Sequence, residues 1–465
     1  MRLNSFESLK LGFEDSSGVF VSGYYGTIAS SFMKEFPYLV QALNETVALD
    51  MAHIHSYLGK RSLVIMKNVG LNEAALPFRS MCDVGVNAGL IIVVTDDINV
   101  DMSENKPDSR VYAELGKTLL LEPKSPSELY EMVYGGFNIS EDIQMPILLR
   151  ITNALNNNEF YEDVSRKKKT SVKFRRAKFD QSQWVLNPMN TEKVIKLHSK
   201  RYRQILSLVE KSKFNNIKGK YGKIGCIYSQ ALIPKEREIL KKYDSIFSVG
   251  TFPLPKQKTK DFINKNKSLE IIDSGESILV NEISKVISNL KINKLIERDY
   301  KWRGLRRTPN SKWFNYTSLF DLIKERNPDI IVGDFGSYTL ASESPIEYAL
   351  HYGGAIACGV GAFIAGEKNI YVVVGDGGFS AGMEGLIEAS RKNARLNIIV
   401  IENFGISKKE KINLDFEKLA LGNGATFVKR VLVNELNNKI FDELESKDGV
   451  SVLFVDYSKN YKLLK

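Results

Sequence analysis

The residues best suited to chemistry lie in one stretch, IYVVVGDGGFSAGMEGLIEASRKNARLNIIVIENFGIS, residues 370–407. Asp376 is a hard anionic oxygen donor. Asn403 offers a neutral amide oxygen, and Gly405, with no side chain in the way, can turn a backbone carbonyl inward. Two or three protein oxygens, with phosphate and water filling the rest of the shell, is how Mg²⁺ is usually held. Gly375, Gly377 and Gly378 surround the aspartate and let backbone N–H groups approach a phosphate. These residue types describe a cradle for a Mg²⁺-bound diphosphate.

Such a cradle needs a frame. The apolar run Ile370 to Val374 reads as a buried strand ending in Gly375-Asp376-Gly377-Gly378. A helix is expected over about Met383 to Lys392, where Met383, Leu386, Ile387 and Ala389 fall near helical spacing. A second apolar strand, Leu396 to Ile401, then delivers Glu402-Asn403-Phe404-Gly405. The polar residues therefore sit just past the carboxyl ends of two strands, the edge where open parallel sheets bind ligands.

Gly375-Asp376-Gly377, then twenty-five residues, then Asn403, resembles the signature of thiamine diphosphate enzymes. The resemblance implies thiamine diphosphate and Mg²⁺ as cofactors, with Asp376, Asn403 and the Gly405 carbonyl as metal ligands. It also implies a glutamate on a pyrimidine-binding domain that hydrogen-bonds the aminopyrimidine ring. Asn44-Glu45-Thr46-Val47-Ala48-Leu49 supplies a candidate, although a glutamate at a helix start can equally be a plain cap.

A wider resemblance favours the catalytic reading of Glu45. Asn44-Glu45 with Met66-Lys67-Asn68-Val69-Gly70-Leu71-Asn72 is similar to the large subunit of indolepyruvate:ferredoxin oxidoreductase. So are Gly23-Tyr24-Tyr25-Gly26-Thr27, Asp96-Asp97 and Leu121-Glu122-Pro123, and the likeness runs from about residue 15 to 460. It implies that the pyrimidine domain comes first, that Glu45 is the acid/base, and that Ser337 and Tyr338 join the coenzyme-binding residues. Several positions depart from the family. Tyr25 stands where relatives carry proline, Asn68 where they carry histidine, and Ser337 where they carry cysteine. Arg307-Thr308-Pro309-Asn310-Ser311-Lys312 replaces a Cys-x-x-Cys segment, and the likeness stops short of the family's ferredoxin-like extension.

The fold class expected is α/β, with three parallel-sheet units. Residues 1–165 form a pyrimidine-binding domain, 166–218 a linker and helix, 219–300 a small domain like the transketolase C-terminal one, and 301–465 the diphosphate and Mg²⁺ domain. A homodimer is expected, with Glu45 and Asp376 meeting from opposite subunits. His53, His55 and His351 are candidates for handling substrate, while His198 reads as a surface residue.

The remaining composition bounds the function. The chain has 465 residues and a net charge of +10, and its densest basic run, Arg166-Lys167-Lys168-Lys169, reads as a solvated linker rather than a nucleic-acid patch. No apolar run reaches membrane-span length. The N-terminus lacks signal-peptide features, so the cytoplasm is expected. Cys82, Cys226 and Cys358 are too dispersed to form a Cys-x-x-Cys pair and too few for a cluster. Three functions remain: a thiamine-dependent enzyme that decarboxylates a 2-oxo acid without its own iron–sulfur cluster, with or without carboligation; an oxidoreductase subunit whose electrons leave through a partner; and a non-catalytic relative that only binds the coenzyme.

Overall fold

The computed structural model describes residues 1–98, 108–156, 160–172, 175–229, 231–232, 234–273, 276–287, 315–403 and 414–457. The chain divides into two compact units. Unit 1 comprises Met1–Gln41, Gly59–Phe174 and His198–Lys301; unit 2 comprises Ala42–Leu58, Arg175–Leu197 and Trp302–Lys465.

Among the described residues, unit 1 holds a seven-stranded sheet. Its order is Thr251–Phe252, Leu120–Leu121, Ile147–Thr152, Leu90–Asp96, Ser62–Lys67, Phe20–Gly23, Val40–Gln41. All neighbours are parallel except the antiparallel edge strand Thr251–Phe252. The central strands are near-continuous apolar runs such as LIIVVTD, and every residue of that strand is buried. Such runs belong to strands covered on both faces. The segment containing Thr251–Phe252, which the sequence places in the middle domain, thus completes the first sheet. The middle domain's other strands form a four-stranded sheet, Ser268–Ile272, Ile224–Tyr228, Ser245–Ser248, Asn216–Gly219, the last antiparallel.

A buried ionic network sits at the carboxyl edge of the first sheet. Arg150, on the strand Ile147–Thr152, is fully buried; its Nε donates to Asp96 at 2.5 Å and its Nη1 to Glu122. Arg110 is also buried and pairs with Asp108 and, at 2.8 Å, with Asp273. Removing one member leaves its partners charged and unpaired in the interior. We expect Arg150→Ala to destabilise unit 1 by ~3–5 kcal/mol, read as a lower urea midpoint. A change within about 1 kcal/mol of wild type would show the carboxylates to be neutral or hydrated.

Unit 2 holds a parallel sheet of five strands among the described residues. Its order is Ile330–Gly333, Ile370–Gly375, Leu396–Glu402, Val450–Asp456, Phe427–Leu432. Side chains alternate between faces. Tyr371 and Val373, Ile399 and Ile401, and Leu453 and Val455 therefore share one face, packed on Phe320, Ile323, Phe441 and Leu444. The glycine-rich helix Ala355–Ala365 starts just after Gly353, which adopts φ +88°. Its glycines permit close approach of the helix Glu45–Tyr57: a Cβ on Gly361 would lie 2.4 Å from Ile54 Cγ2 and 2.8 Å from Met51 Cα. Among the described residues no helix is long and apolar enough to cross a membrane.

Candidate functional site

Strands Ile370–Gly375 and Leu396–Glu402 are adjacent and parallel, with Gly375 opposite Ile401. Asp376 and Asn403 consequently leave the sheet at the same carboxyl edge. The expected glycine turn is instead the start of a short helix, Asp376–Ala381, with Gly375 as its N-cap. Asp376 is buried, at 8% exposure, and its Oδ1 accepts the Gly377 N–H at 3.0 Å.

The glycines matter here for packing. A Cβ on Gly378 would fall 2.1 Å from Asp334 Oδ2. Asp334 follows the strand Ile330–Gly333 and is fully buried. It accepts the Gly353 N–H at 2.8 Å and the Tyr338 hydroxyl at 3.3 Å. The Tyr338 oxygen in turn accepts the Gly375 N–H at 2.9 Å. Tyr338 is thus a buried strut between Asp334 and the residue preceding Asp376.

Burial lifts the Asp334 carboxyl to about 7, against the pull of the Gly353 N–H, Tyr338 and His351. The folded protein holds this proton more tightly than the unfolded chain does. Its stabilising contribution is complete below the ordinary carboxyl pKa and is lost as pH rises through about 7. We expect unfolding free energy to fall over that window with a slope of at most about 1.4 kcal/mol per pH unit from this group. Asp334→Asn should flatten that part of the curve in urea titrations at fixed pH steps. An unchanged slope would remove Asp334 from the titration.

Asn403 is half-buried; its Nδ2 donates to Ser337 Oγ at 3.0 Å and, more weakly, to the Tyr316 hydroxyl at 3.4 Å. The two hydroxyls are 2.6 Å apart. Burial raises the Tyr316 phenol, and the Asp376 charge adds to this, which places Asp376 within electrostatic reach of the hydroxyl that touches Asn403.

The residue types here suit a hard cation. One carboxylate and one neutral amide oxygen stand at a glycine-lined edge, a donor set suited to Mg²⁺ that keeps phosphate and water ligands. Among the described residues no group of three or more His, Cys, Asp or Glu could hold a metal ion. A cage of protein carboxylates is therefore not the arrangement present there. Gly405 and Phe404 lie outside the described residues, as does Arg307–Lys312.

Glu45 opens the helix Glu45–Tyr57 and is 8% exposed. Asn44 caps it by accepting the Val47 N–H at 2.8 Å, and Asn44 Nδ2 donates to Glu384 Oε2 at 3.0 Å. Glu384 belongs to the helix Met383–Arg391, which follows the Asp376 helix directly. Within the chain, Glu45 and Asp376 belong to the same compact unit, where the Glu45 helix packs on the glycine-rich helix.

A second tie anchors the same helix. His351 Nε2 contacts both carboxylate oxygens of Asp50, at 2.9 and 3.0 Å, and His351 Nδ1 contacts the Tyr352 carbonyl at 3.0 Å. Burial raises the Asp50 carboxyl. Burial pulls the His351 imidazole down, but the Asp50 carboxylate more than reverses this. The pair holds a shared proton more firmly than either group would alone. His53 bonds the Tyr348 hydroxyl, and His55 Nδ1 contacts the Met51 carbonyl at 2.7 Å, so both are engaged within the fold. His198 is buried rather than surface-exposed. Its Nδ1 contacts Asp83 and its Nε2 donates to the Gly116 carbonyl, each at 2.8 Å, because its helix face is turned inward at that turn.

Sequence reasoning missed Asp50, Asp334 and Tyr316. Asp50 carried a signal, as a lone acid in the apolar run VALDMAHI, and Asp334 repeats the strand-end Gly-Asp-x-Gly pattern of residues 375–378.

Residues 337–455 match the family described as thiamine pyrophosphate enzyme, C-terminal TPP binding domain. The chain is 26% identical over 455 residues to the indolepyruvate oxidoreductase subunit IorA of Methanothermobacter thermautotrophicus, covering 83% of this chain and 72% of that protein. The IorA subunit of Thermococcus kodakarensis is 26% identical over 450 residues, covering 81% and 69%. The chain is a homologue of these IorA subunits. The IorA relatives thus match most of the chain, while the coenzyme-domain family matches the part bearing Ser337, Asp376 and Asn403. The fold is shared with the crystal structure of a candidate thiamin diphosphate-dependent enzyme from Mycobacterium smegmatis, with a TM-score of 0.52 over 97% of this chain and 99% of that one, at 14% identity.

Proposed function

We propose that the chain is a thiamine diphosphate- and Mg²⁺-dependent enzyme acting on a 2-oxo acid. The observation that carries this reading is the placement of Asp376 and Asn403 at one sheet edge, in the same unit as the helix that opens with Glu45. The family match over residues 337–455 and the IorA relatives support it.

In this reading Asp376, Asn403 and the Gly405 carbonyl hold the metal, and the backbone around Gly377 and Gly378 faces the diphosphate. The coenzyme, when bound, supplies a carbon nucleophile and an electron sink for loss of CO₂ from the substrate. Glu45 would hold a proton at its carboxyl for the aminopyrimidine ring of the bound coenzyme. Glu45 is 8% exposed at the start of its helix, so its carboxyl is held largely out of water. Residues 1–165 serve as the pyrimidine domain and 301–465 as the diphosphate domain. The assembly proposed is a cytoplasmic homodimer.

We further propose that the chain itself carries no iron–sulfur cluster. Cys82, Cys226 and Cys358 are all buried and free. Burial raises each thiol, that of Cys226 to about 11. Cluster iron is ligated by a set of thiolates, and three cysteines dispersed at positions 82, 226 and 358 do not supply one. Anaerobic purification followed by iron and sulfide analysis should find no stoichiometric cluster; a cluster absorption band with matching iron would refute this. A second reading, favoured by the IorA relatives being named subunits, is that a partner chain takes up the electrons. Incubating holoprotein with a panel of 2-oxo acids, and following CO₂ with and without an electron acceptor, separates non-oxidative from partner-dependent chemistry. Failure to release CO₂ from any of them under both conditions, with coenzyme bound, would favour a non-catalytic relative.

A further inference from the structure

An asparagine amide has two ends of nearly equal size, and only one of them can bind a cation. The shape of Asn403 leaves the choice of end open, and in the structure the nitrogen end is the one turned to the neighbouring hydroxyls. The Nδ2 end lies against two hydroxyl oxygens, Ser337 Oγ at 3.0 Å and Tyr316 at 3.4 Å. Ser337 Oγ has two lone pairs. One can accept the Asn403 N–H and the other the Tyr316 O–H, 2.6 Å away. The arrangement is rigid. Tyr316 is 1% exposed, and its ring packs on Phe320, Tyr457 and Tyr338 with centroids at 5.6, 5.2 and 6.5 Å.

We propose that Ser337 and Tyr316 are positioning residues that hold the Asn403 amide with its nitrogen toward them and its Oδ1 toward the divalent cation. The inference rests on the metal-centre reading above and adds to it the device that orients one ligand. Neither hydroxyl needs to touch the metal or the coenzyme. A flipped amide would present N–H to the cation and lose a ligand. Partners that orient a ligating group are typically worth ~10–100-fold in metal affinity. Ser337 therefore has a stated task at a position where the IorA-like pattern leads one to expect cysteine, whose sulfur is a weaker acceptor.

The test uses Mn²⁺ as a paramagnetic stand-in, titrated into the full chain with saturating thiamine diphosphate and read as free Mn²⁺ by electron paramagnetic resonance. Wild type should bind saturably. Ser337→Ala and Tyr316→Phe should each bind ~10–100-fold more weakly, with unchanged metal-free thermal unfolding as the folding control. The decisive variant is Asn403→Asp, whose carboxylate offers oxygen at both ends. Adding Ser337→Ala to it should change affinity by less than about twofold, because no wrong orientation remains to be prevented. Ser337→Ala with wild-type affinity overturns the proposal. Equal weakening by Ser337→Ala in the wild-type and Asn403→Asp backgrounds also overturns it, since the serine would then be supporting the fold and not the orientation. Absence of saturable Mn²⁺ binding in wild type is a distinct result that overturns the metal centre and the orientation together.

Discussion

Asp376→Ala protein is expected to purify without thiamine diphosphate or Mg²⁺ while remaining folded. Asp376 is the one carboxylate assigned to the metal, and the other assigned donors, Asn403 and a backbone carbonyl, are neutral. Without it the cation faces a diphosphate with no protein anion to share its charge. Loss of an orienting partner alone costs ~10–100-fold in affinity, so loss of the ligand should exceed about 100-fold. The fold should tolerate the change. Asp376 sits in the first turn of a six-residue helix, where a carboxylate contributes ~0.3–1 kcal/mol. The strands behind it are closed by Gly375 and Tyr338, which do not depend on the Asp376 side chain. Metal analysis and coenzyme release on denaturation provide the readout. An alanine variant that keeps both at wild-type occupancy would refute the assignment.

The strand–helix–strand unit around Asp376 was legible because its signals are local. Apolar runs of strand length end in glycines, and a 3.6-residue pattern lies between them. The placement of the polar residues just past two strand ends could be read from the sequence, and the register that puts Gly375 opposite Ile401 comes from the sheet. What could not be read was everything set by distant packing. Tyr316, Ser337 and Asn403 are separated by up to 87 residues in sequence, and their contact follows from how strands and loops converge at one edge. The Asp50–His351 pair spans 301 residues, and no local pattern links a helical acid to a histidine in a glycine-flanked loop. The grouping of the Glu45 helix with its own chain's coenzyme domain was hidden for the same reason. The resemblance supplied the helix and its glutamate, but the close approach of Ile54 to Gly361 is a property of the packed helices and of neither sequence alone. A polar helix pattern does not reveal that Asp83 and the Gly116 carbonyl stand beside both ring nitrogens of His198.

Glu45→Gln should retain coenzyme and metal yet lose most turnover. The substitution keeps size and hydrogen-bonding reach but removes the exchangeable proton, so it isolates proton transfer from binding. Asn44 would still cap the helix through its own side chain, and the Asp50–His351 tie one turn further along would still hold the helix in place. Structure and occupancy should therefore be preserved, and the loss should appear in kcat rather than in coenzyme content. A positioned acid/base contributes ~10²–10⁴-fold, and that is the drop expected in CO₂ release from whichever 2-oxo acid the wild type accepts. A glutamine variant with kcat within about threefold of wild type would return Glu45 to the role of a plain helix-start residue, since general acid–base catalysis is not lost so cheaply. A variant that loses coenzyme as well would mean that Glu45 acts first in binding, and its contribution to proton transfer would then be measured at saturating thiamine diphosphate.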